Sequence, residues 1–114
     1  MEKSSFTLVF GNSPFVKVLD FFMQFEDFDY PISFISKETE TKWETVEKVI
    51  EILVKKGFVK KTRRLGKAQL YGLDKENKLT KLLLDIDMKI SDFFVKEELK
   101  RQKSGLIKKA TSSR

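Results

Sequence analysis

The sequence of 114 residues predicts an α+β, mostly helical fold, in which a three-helix core carries a two-stranded β-hairpin and is followed by a long C-terminal helix. Three observations predict it. Apolar residues recur at helical spacing in segments that begin near Pro14, Ile32 and Thr41. The period changes to that of a strand after Gly57. A heptad-like apolar seam then begins near Asn77.

The N-terminal segment is short and apolar from Phe6 to Phe10 and is interrupted at Gly11. We expect residues 1–11 to form either a short edge strand or an arm lying on the core. The first helix is predicted from about Pro14 to Glu26, because Asn12 or Ser13 can cap it and proline suits the first helical turn.

Two further helices complete the predicted core. A turn over residues 26–31 precedes a helix from about Ile32 to Glu38. The third helix is predicted to begin with a capping box, in which Thr41 and Glu44 satisfy each other's backbone N–H groups. Its apolar face is formed by Val46, Val49, Ile50 and Leu53. We expect it to end at Gly57, which can adopt a left-handed cap.

The hairpin and the last helix follow. Residues 58–64 and 68–73 read as two strands joined by the tight turn Leu65–Lys67, so that residues 12–75 form one domain. A helix from about Asn77 to Gln102 is longer than such a domain requires, and we expect residues 76–102 to pack against a second copy. The predicted dimerisation seam is Leu79, Leu83, Ile86, Ile90 and Phe93. Residues 103–114 are predicted to be a flexible basic tail.

Positive charge is concentrated in two blocks of the chain, which has a net charge of +6. Residues 55–69 carry seven Lys and Arg and no acid, and residues 100–114 carry six and no acid. A polyanion such as nucleic acid is the natural partner of such blocks. The alternative is a solvated basic surface with a basic tail.

Composition excludes several classes of function. Without Cys or His, the chain has no disulfide, thiol chemistry, zinc finger or Ser-His-Asp triad. No nucleophile–base pair, metal cluster or glycine-rich phosphate loop is visible, so we expect no enzyme, no cofactor and no metal. No apolar run approaches the roughly 20 residues of a membrane span, and the N-terminus lacks a signal-peptide pattern. We therefore expect a cytoplasmic protein.

The order of helix, short helix, second helix and basic hairpin is typical of a winged helix-turn-helix. The stretch Ile32–Val59, ISFISKETETKWETVEKVIEILVKKGFV, resembles the helix-turn-helix and first wing strand of MarR- and ArsR-type transcriptional regulators. Together with NSPFVKVLDFF and KKTRRLGKAQLYGLDKENKL, it is especially similar to small archaeal winged-helix regulators, over roughly Asn12 to Ile90. The resemblance implies a homodimer that binds double-stranded DNA with the third helix in the major groove.

The resemblance also implies which residues face DNA. The recognition-helix surface would comprise Lys42, Trp43, Glu44, Thr45, Glu47 and Lys48, and the wing surface Lys61, Arg63, Arg64, Lys67 and Gln69. Of these, all but the two glutamates are predicted DNA contacts. The chain departs from the family at Glu40, where Gly is usual in the turn, at Lys42, where Ser is usual, and at Glu44, where small residues are common. We interpret this as a shift by one residue, with Thr41 as the cap.

Several alternatives stay open on the sequence alone. Carboxylates at Glu44, Glu47 and Glu51 repel phosphates, although they can accept a hydrogen bond from cytosine, so the helix either reads bases or is a solvated face beside a binding wing. Trp43 is either a DNA or partner contact or a partly buried staple. Strand alternation allows only one of Arg63 and Arg64 to meet DNA. The function could also be that of a protein-interaction module of a larger assembly, or of a DNA-organising or plasmid-partition protein.

Overall fold

The computed structural model describes residues 4–112, with side chains described as far as Ser104. The elements in chain order are α1 Ser5–Phe10, α2 Pro14–Gln24, β1 Asp29–Pro31, α3 Ile32–Thr39, α4 Trp43–Lys56, β2 Val59–Leu65, β3 Ala68–Leu73 and α5 Lys78–Ser112. The predicted α+β, mostly helical architecture is confirmed.

The N-terminal segment is a helix, so the edge strand, one of the two alternatives expected there, is wrong. The Ser4 side chain accepts a hydrogen bond from the Thr7 backbone N–H at 3.2 Å and caps α1, and Gly11 ends it with a φ of 89°. Phe6 is buried in the core, and its ring lies 4.7 Å from that of Phe10 one turn later. A polar cap and this ring pair outweigh the β propensity of five consecutive apolar or β-branched residues.

Of the two predicted caps of α2, Asn12 and Ser13, it is Ser13 that accepts a hydrogen bond from the Val16 N–H. The predicted capping box before α4 is wrong. The residue at the N-cap is Lys42, with no side-chain hydrogen bond, and the Thr41 hydroxyl donates instead to the Thr39 carbonyl oxygen at 3.1 Å. The helix begins one residue later than the box requires, so Thr41 and Glu44 are not in capping positions.

A third strand makes the sheet larger than the predicted two-stranded hairpin. β1 pairs antiparallel with β3, which pairs with β2, giving the strand order β1-β3-β2. The prediction that residues 26–31 form only a turn is therefore wrong. Three residues are too few to show a period of two, and the strand ends at Pro31, which an edge strand tolerates because its missing N–H can face solvent.

The core lies between α2, α3, α4 and the sheet. Its fully buried side chains include Val18, Phe21, Phe22, Ile35, Val46 and Leu53. Gly57 ends α4 in the left-handed conformation with a φ of 85°, as predicted. The four residues of the predicted apolar face of α4 are all buried.

The last helix, α5, begins one residue after Asn77, whose side chain accepts from the Leu79 N–H at 2.8 Å. It continues to Ser112, beyond the predicted end at Gln102. Residues 103–112 therefore belong to the helix, and the flexibility of this basic segment stays a prediction. Positions 113–114 of that prediction, like positions 1–3 of the N-terminal arm, lie outside the described residues.

The residues of the predicted dimerisation seam differ in their exposure. Leu83 packs against the core of its own chain and Ile90 is half-buried. Leu79, Ile86 and Phe93 are 49%, 37% and 58% exposed.

In the part of the chain that the structure describes, no helix is long and apolar enough to cross a membrane.

Candidate nucleic-acid interface

The two helices α3 and α4 are joined by a sharp turn at Glu40. This residue has φ 52° and ψ 44°, the left-handed conformation, and is the one non-glycine residue with a positive φ among residues 4–112. The resemblance to MarR- and ArsR-type regulators implies a glycine at this position. The structure shows that Glu40 adopts the conformation that glycine favours, at a cost of roughly 1–2 kcal/mol.

The exposed side of α4 carries most of the predicted recognition residues. Its opposite side is buried in the core, so Trp43, Glu47 and Lys48 face solvent, and Thr45 is half-buried. Trp43 is 46% exposed, so it is partly buried, as one of the two alternatives held, and it remains accessible to solvent.

A bulge in β2 decides which residues share a face of the hairpin of β2 and β3, which is the predicted wing. Lys61 pairs with Tyr71, and Arg64 pairs with Gln69, so β2 has two residues between these pairs where β3 has one. Directly paired residues point to the same face of a sheet. Lys61 and Arg64 therefore share one face with Tyr71 and Gln69, which we call the inner wing face because Tyr71 and Gln69 line grooves against α4.

Arg63 lies on the opposite, outer wing face. Its Nε donates to Oδ2 of Asp29 at 3.1 Å and its Nη2 donates to Oδ1 at 3.3 Å. Asp29 pairs with Gly72, which is next to Tyr71 and so faces the other way. Hydrogen bonds from Arg63 and then from Thr62 lower the pKa of Asp29, so this carboxylate stays ionised at neutral pH. The predicted split of Arg63 and Arg64 between two faces agrees with this arrangement.

A groove of about 280 Å³ lies between the beginning of α4 and the wing. It is lined by Trp43 and Glu47 from α4, by Lys67, Gln69 and Tyr71 from the wing, and by residues 31–33 at the start of α3. The groove thus brings Trp43 together with two predicted wing residues that are distant from it in sequence, Lys67 and Gln69.

A second groove, of about 460 Å³, continues along α4. Glu47 and Glu51 line it from the helix, and Lys61 and Tyr71 line it from the inner wing face. Burial, and then the charges of Glu47 and Glu51, raise the pKa of Tyr71, so its hydroxyl remains protonated and able to donate. Lys61 thus lies opposite two of the acids that the sequence analysis identified as an obstacle to DNA binding.

Some predicted site residues lie elsewhere. Lys42, at the N-cap of α4, and Lys48, on the helix, are exposed but line neither groove. Thr45 and Arg64 do not line the grooves either, and Arg64 Nη2 donates to the Lys67 carbonyl oxygen at 3.4 Å. No role was predicted from the sequence for Asp29, which binds Arg63, or for Tyr71, which lines both grooves. Asp29 lies in a segment whose sequence predicted a turn. The described residues contain no group of three or more His, Cys, Asp or Glu side chains that could hold a metal ion.

No protein-family profile and no curated protein matches the sequence. Solved structures do match, with TM-scores between 0.57 and 0.59 for three of them. A homodimeric winged helix-turn-helix DNA-binding domain from Mycobacterium bovis, a possible ArsR-family transcriptional regulator, is 18% identical, with a TM-score of 0.57 over 82% of this chain and 81% of that one. MepR, a transcription regulator of the Staphylococcus aureus multidrug efflux pump MepA, is 18% identical, with a TM-score of 0.59 over 90% and 79%. The adhesin competence repressor AdcR from Streptococcus pyogenes is 13% identical, with a TM-score of 0.57 over 84% and 75%.

The fold is a winged helix-turn-helix. In this fold α3 and α4 are the helix-turn-helix, with α4 in the place of the recognition helix, and the hairpin of β2 and β3 is the wing. The grooves that join α4 to the inner wing face therefore lie between the two elements that carry the predicted DNA contacts.

Proposed function

We propose that the protein is a dimeric transcriptional regulator that binds double-stranded DNA sequence-specifically, with α4 in the major groove and the inner wing face on the backbone or in the minor groove. The observation that supports this most directly is the convergence of Trp43 from α4 with Lys67 and Gln69 from the wing on one groove. A helix is the right width for the major groove, and cations beside it can bind the phosphates that flank the groove.

The proposal assigns different tasks to helix and wing. Arg64 and Lys67 supply phosphate contacts, which give affinity without reading sequence. Gln69 and Trp43 lie where the wing approaches the first turn of α4, the part of a recognition helix that reaches base edges. Lys42, Thr45 and Lys48 remain predicted contacts of α4. Arg63 is bound to Asp29 and contributes less than its position in the sequence suggested.

The acids of α4 are compatible with this role. Lys61 lies across a groove from Glu47 and Glu51 and reduces the local negative potential. A glutamate that enters the major groove can accept a hydrogen bond from the cytosine amino group, which turns the acid into a sequence-reading contact.

A second copy accounts for the exposed apolar surface of α1 and α5, two helices that pack against each other. The exposed apolar side chains are Leu8, Val9 and Phe10 on α1 and Leu79, Leu82, Ile86 and Phe93 on α5. Exposed apolar side chains on two neighbouring helices favour a protein–protein contact site there. A symmetric dimer would place two α4 helices on half-sites about one helical turn of DNA apart, or a multiple of that spacing.

The remaining predictions follow from the proposed role. A DNA-binding regulator needs no catalytic group, cofactor or metal, and it acts in the compartment that holds its DNA, which supports the cytoplasmic prediction. The similarity to small archaeal regulators remains a prediction from the resemblance in sequence.

Selection from a random duplex library tests the proposal. We expect a two-fold symmetric motif, bound at least 1,000-fold more tightly than scrambled DNA, as is typical of specific binders at physiological salt. Tight, salt-sensitive binding without a motif would instead indicate a DNA-organising or partition protein. Absence of binding would contradict the proposal and favour a protein-interaction module, with the exposed Trp43 at its surface.

A further inference from the structure

The outer wing face contains a compact charged cluster formed by Asp29, Thr62 and Arg63. Both carboxylate oxygens of Asp29 are engaged, Oδ2 by Arg63 Nε and by the Thr62 hydroxyl and Oδ1 by Arg63 Nη2. The Asp29 side chain is 17% exposed, whereas the Arg63 side chain is 62% exposed. The carboxylate therefore lies beneath a guanidinium group that remains open to solvent.

The backbone is arranged to bring these side chains together. Thr62 and Arg63 are the two residues of the β2 bulge, between the pairs formed by Lys61 and Arg64. Between β2 and β1 lies Gly72, where a Cβ would be 3.3 Å from Thr62 Cγ2 and 3.6 Å from Asp29 Cβ. Glycine thus permits the approach of Asp29 to Thr62 across the central strand. Lys60, which pairs with Gly72, adds a second cation to this face.

The hydrogen-bond donors of the cluster are of the kinds that bind phosphate groups in proteins. A guanidinium that donates two N–H groups, a hydroxyl and a neighbouring ammonium form a set that binds either a carboxylate or a phosphate oxyanion. We propose that Thr62 and Arg63 form an anion site for a backbone phosphate of DNA, and that Asp29 occupies this site in the free protein as an intramolecular substitute. The proposal rests on the proposed DNA-binding function.

The ion pair of Asp29 with Arg63 lowers the affinity of the outer wing face for DNA. As long as Asp29 holds Arg63, the charge of Arg63 is neutralised and Lys60 remains as a cation of the outer face, so binding depends mainly on the inner face. A phosphate must displace the carboxylate to gain the site, so Asp29 weakens binding to any DNA. If Asp29 instead orients Arg63 toward DNA, removal of the Asp29 carboxylate would lower the affinity for DNA and not raise it.

Asp29→Asn, which keeps the size of the side chain and removes its charge, tests the proposal. Asp27→Asn is a matched control, because it removes the same charge two residues away, where Asp27 pairs with Lys75 at 2.9 Å. We expect Asp29→Asn to raise DNA affinity several-fold more than Asp27→Asn. The slope of log affinity against log salt should steepen by about 0.9, the value for one added phosphate contact. Arg63→Gln should remove this gain in the Asp29→Asn protein, yet change the affinity of the wild-type protein by less than about twofold.

Thermal unfolding with inorganic phosphate, in the absence of DNA, tests the anion site independently of the proposed DNA-binding function. With millimolar inorganic phosphate, the melting temperature of Asp29→Asn should rise, and those of the wild type and of Asp29→Asn/Arg63→Gln should not. If Asp29→Asn binds DNA no better than Asp27→Asn, the proposed exchange with DNA phosphate is wrong, even if inorganic phosphate stabilises the variant. If no variant binds DNA, the proposed function fails, and the phosphate titration still decides whether Thr62 and Arg63 form an anion site.

Discussion

Lys61 and Arg64 lie on the same face of the wing, although residues three apart in a regular strand face opposite ways. The bulge at Thr62 and Arg63 causes this, since it inserts one residue into β2 opposite a single residue of β3. As a result, the inner wing face carries Lys61, which lines a groove against α4, together with Arg64, whereas Arg63 pairs with Asp29 on the outer face. The distribution of charge on the proposed DNA surface thus depends on one irregularity in strand pairing.

Neutralising the acids that face Lys61 is expected to strengthen binding to DNA of any sequence. Glu47→Gln and Glu51→Gln each remove a carboxylate from the groove beside the inner wing face. We expect a rise of about two- to tenfold in affinity for scrambled duplex, because repulsion of phosphates falls. Fluorescence anisotropy at low salt measures it, with Glu76→Gln, an exposed residue before α5, as the control. A loss of affinity for the selected site alone would show that the replaced glutamate reads a base, and a loss on both duplexes would contradict the prediction.

A charge in the exposed seam of α5 is expected to produce a monomer. Ile86→Glu places a carboxylate in the middle of the surface formed with Leu79 and Phe93, where a second copy would bury it. Sedimentation equilibrium should give half the wild-type mass. Met88→Glu is the matched control, because Met88 is 65% exposed and lies on the other side of the helix. Equal masses for the wild type and Ile86→Glu would reject the seam.

Asp20 gives the protein a specific pH dependence. Its side chain is fully buried in α2, where Oδ1 accepts from Ser4 Oγ at 2.9 Å and from Gln24 at 3.3 Å, while Oδ2 has no partner. Burial raises the pKa of Asp20 above its usual 3.8. Burial, and then the charges of Asp20 and Glu26, also raise the pKa of Asp87, whose Oδ1 has no partner either.

The sign of the effect follows from this raised pKa. The folded protein holds the proton more tightly than the unfolded chain, so stability is lost as the pH rises from about 4 through the folded-state pKa. Asp20→Asn should remove this loss and raise the free energy of unfolding by about 1–3 kcal/mol at pH 7, with a smaller difference at pH 4. Urea denaturation at several pH values measures it, with Asp85→Asn, an exposed residue of α5, as the control. A difference between Asp20→Asn and the wild type that does not grow with pH would contradict the prediction.

Glu40→Gly is expected to stabilise the protein. The left-handed conformation of Glu40 is costly for a residue with a Cβ and is free of that cost for glycine. We expect a gain of about 1 kcal/mol, seen as a rise of several degrees in melting temperature. Glu38→Gly, two residues earlier inside α3, should instead lower the stability by about 1 kcal/mol, since glycine is unfavourable within a helix. A loss of stability in both variants would show that Glu40 makes a compensating contact.

Features that depend on local chemistry could be predicted from the sequence. The cap at Ser13, the end of α4 at Gly57 and the buried face of α4 all follow from residues within one or two helical turns, and the structure confirms them. The turn at Glu40 was located through the usual glycine of similar regulators, but the shift of the cap to Thr41 was wrong because α4 begins at Trp43.

Features that depend on long-range pairing could not be predicted. The hydrogen bonds between Asp29 and Arg63 join residues 34 positions apart, and β1 is too short to show a pattern of its own. Strand alternation correctly separated Arg63 from Arg64 but could not show the bulge that places Lys61 beside Arg64. The groove shared by Trp43, Lys67 and Gln69 likewise arises only when the wing packs beside α4.

The central claim is that DNA binds the inner wing face beside α4, and it is tested most directly by the affinities of wing variants for the selected duplex across a range of salt concentrations. We expect Arg64→Gln/Lys67→Gln to lose at least about tenfold in affinity and about two units of salt slope, because two phosphate contacts are removed. Arg63→Gln should stay within about twofold of the wild type. Equal affinities for all three proteins, or a larger loss for Arg63→Gln than for the double variant, would contradict the account.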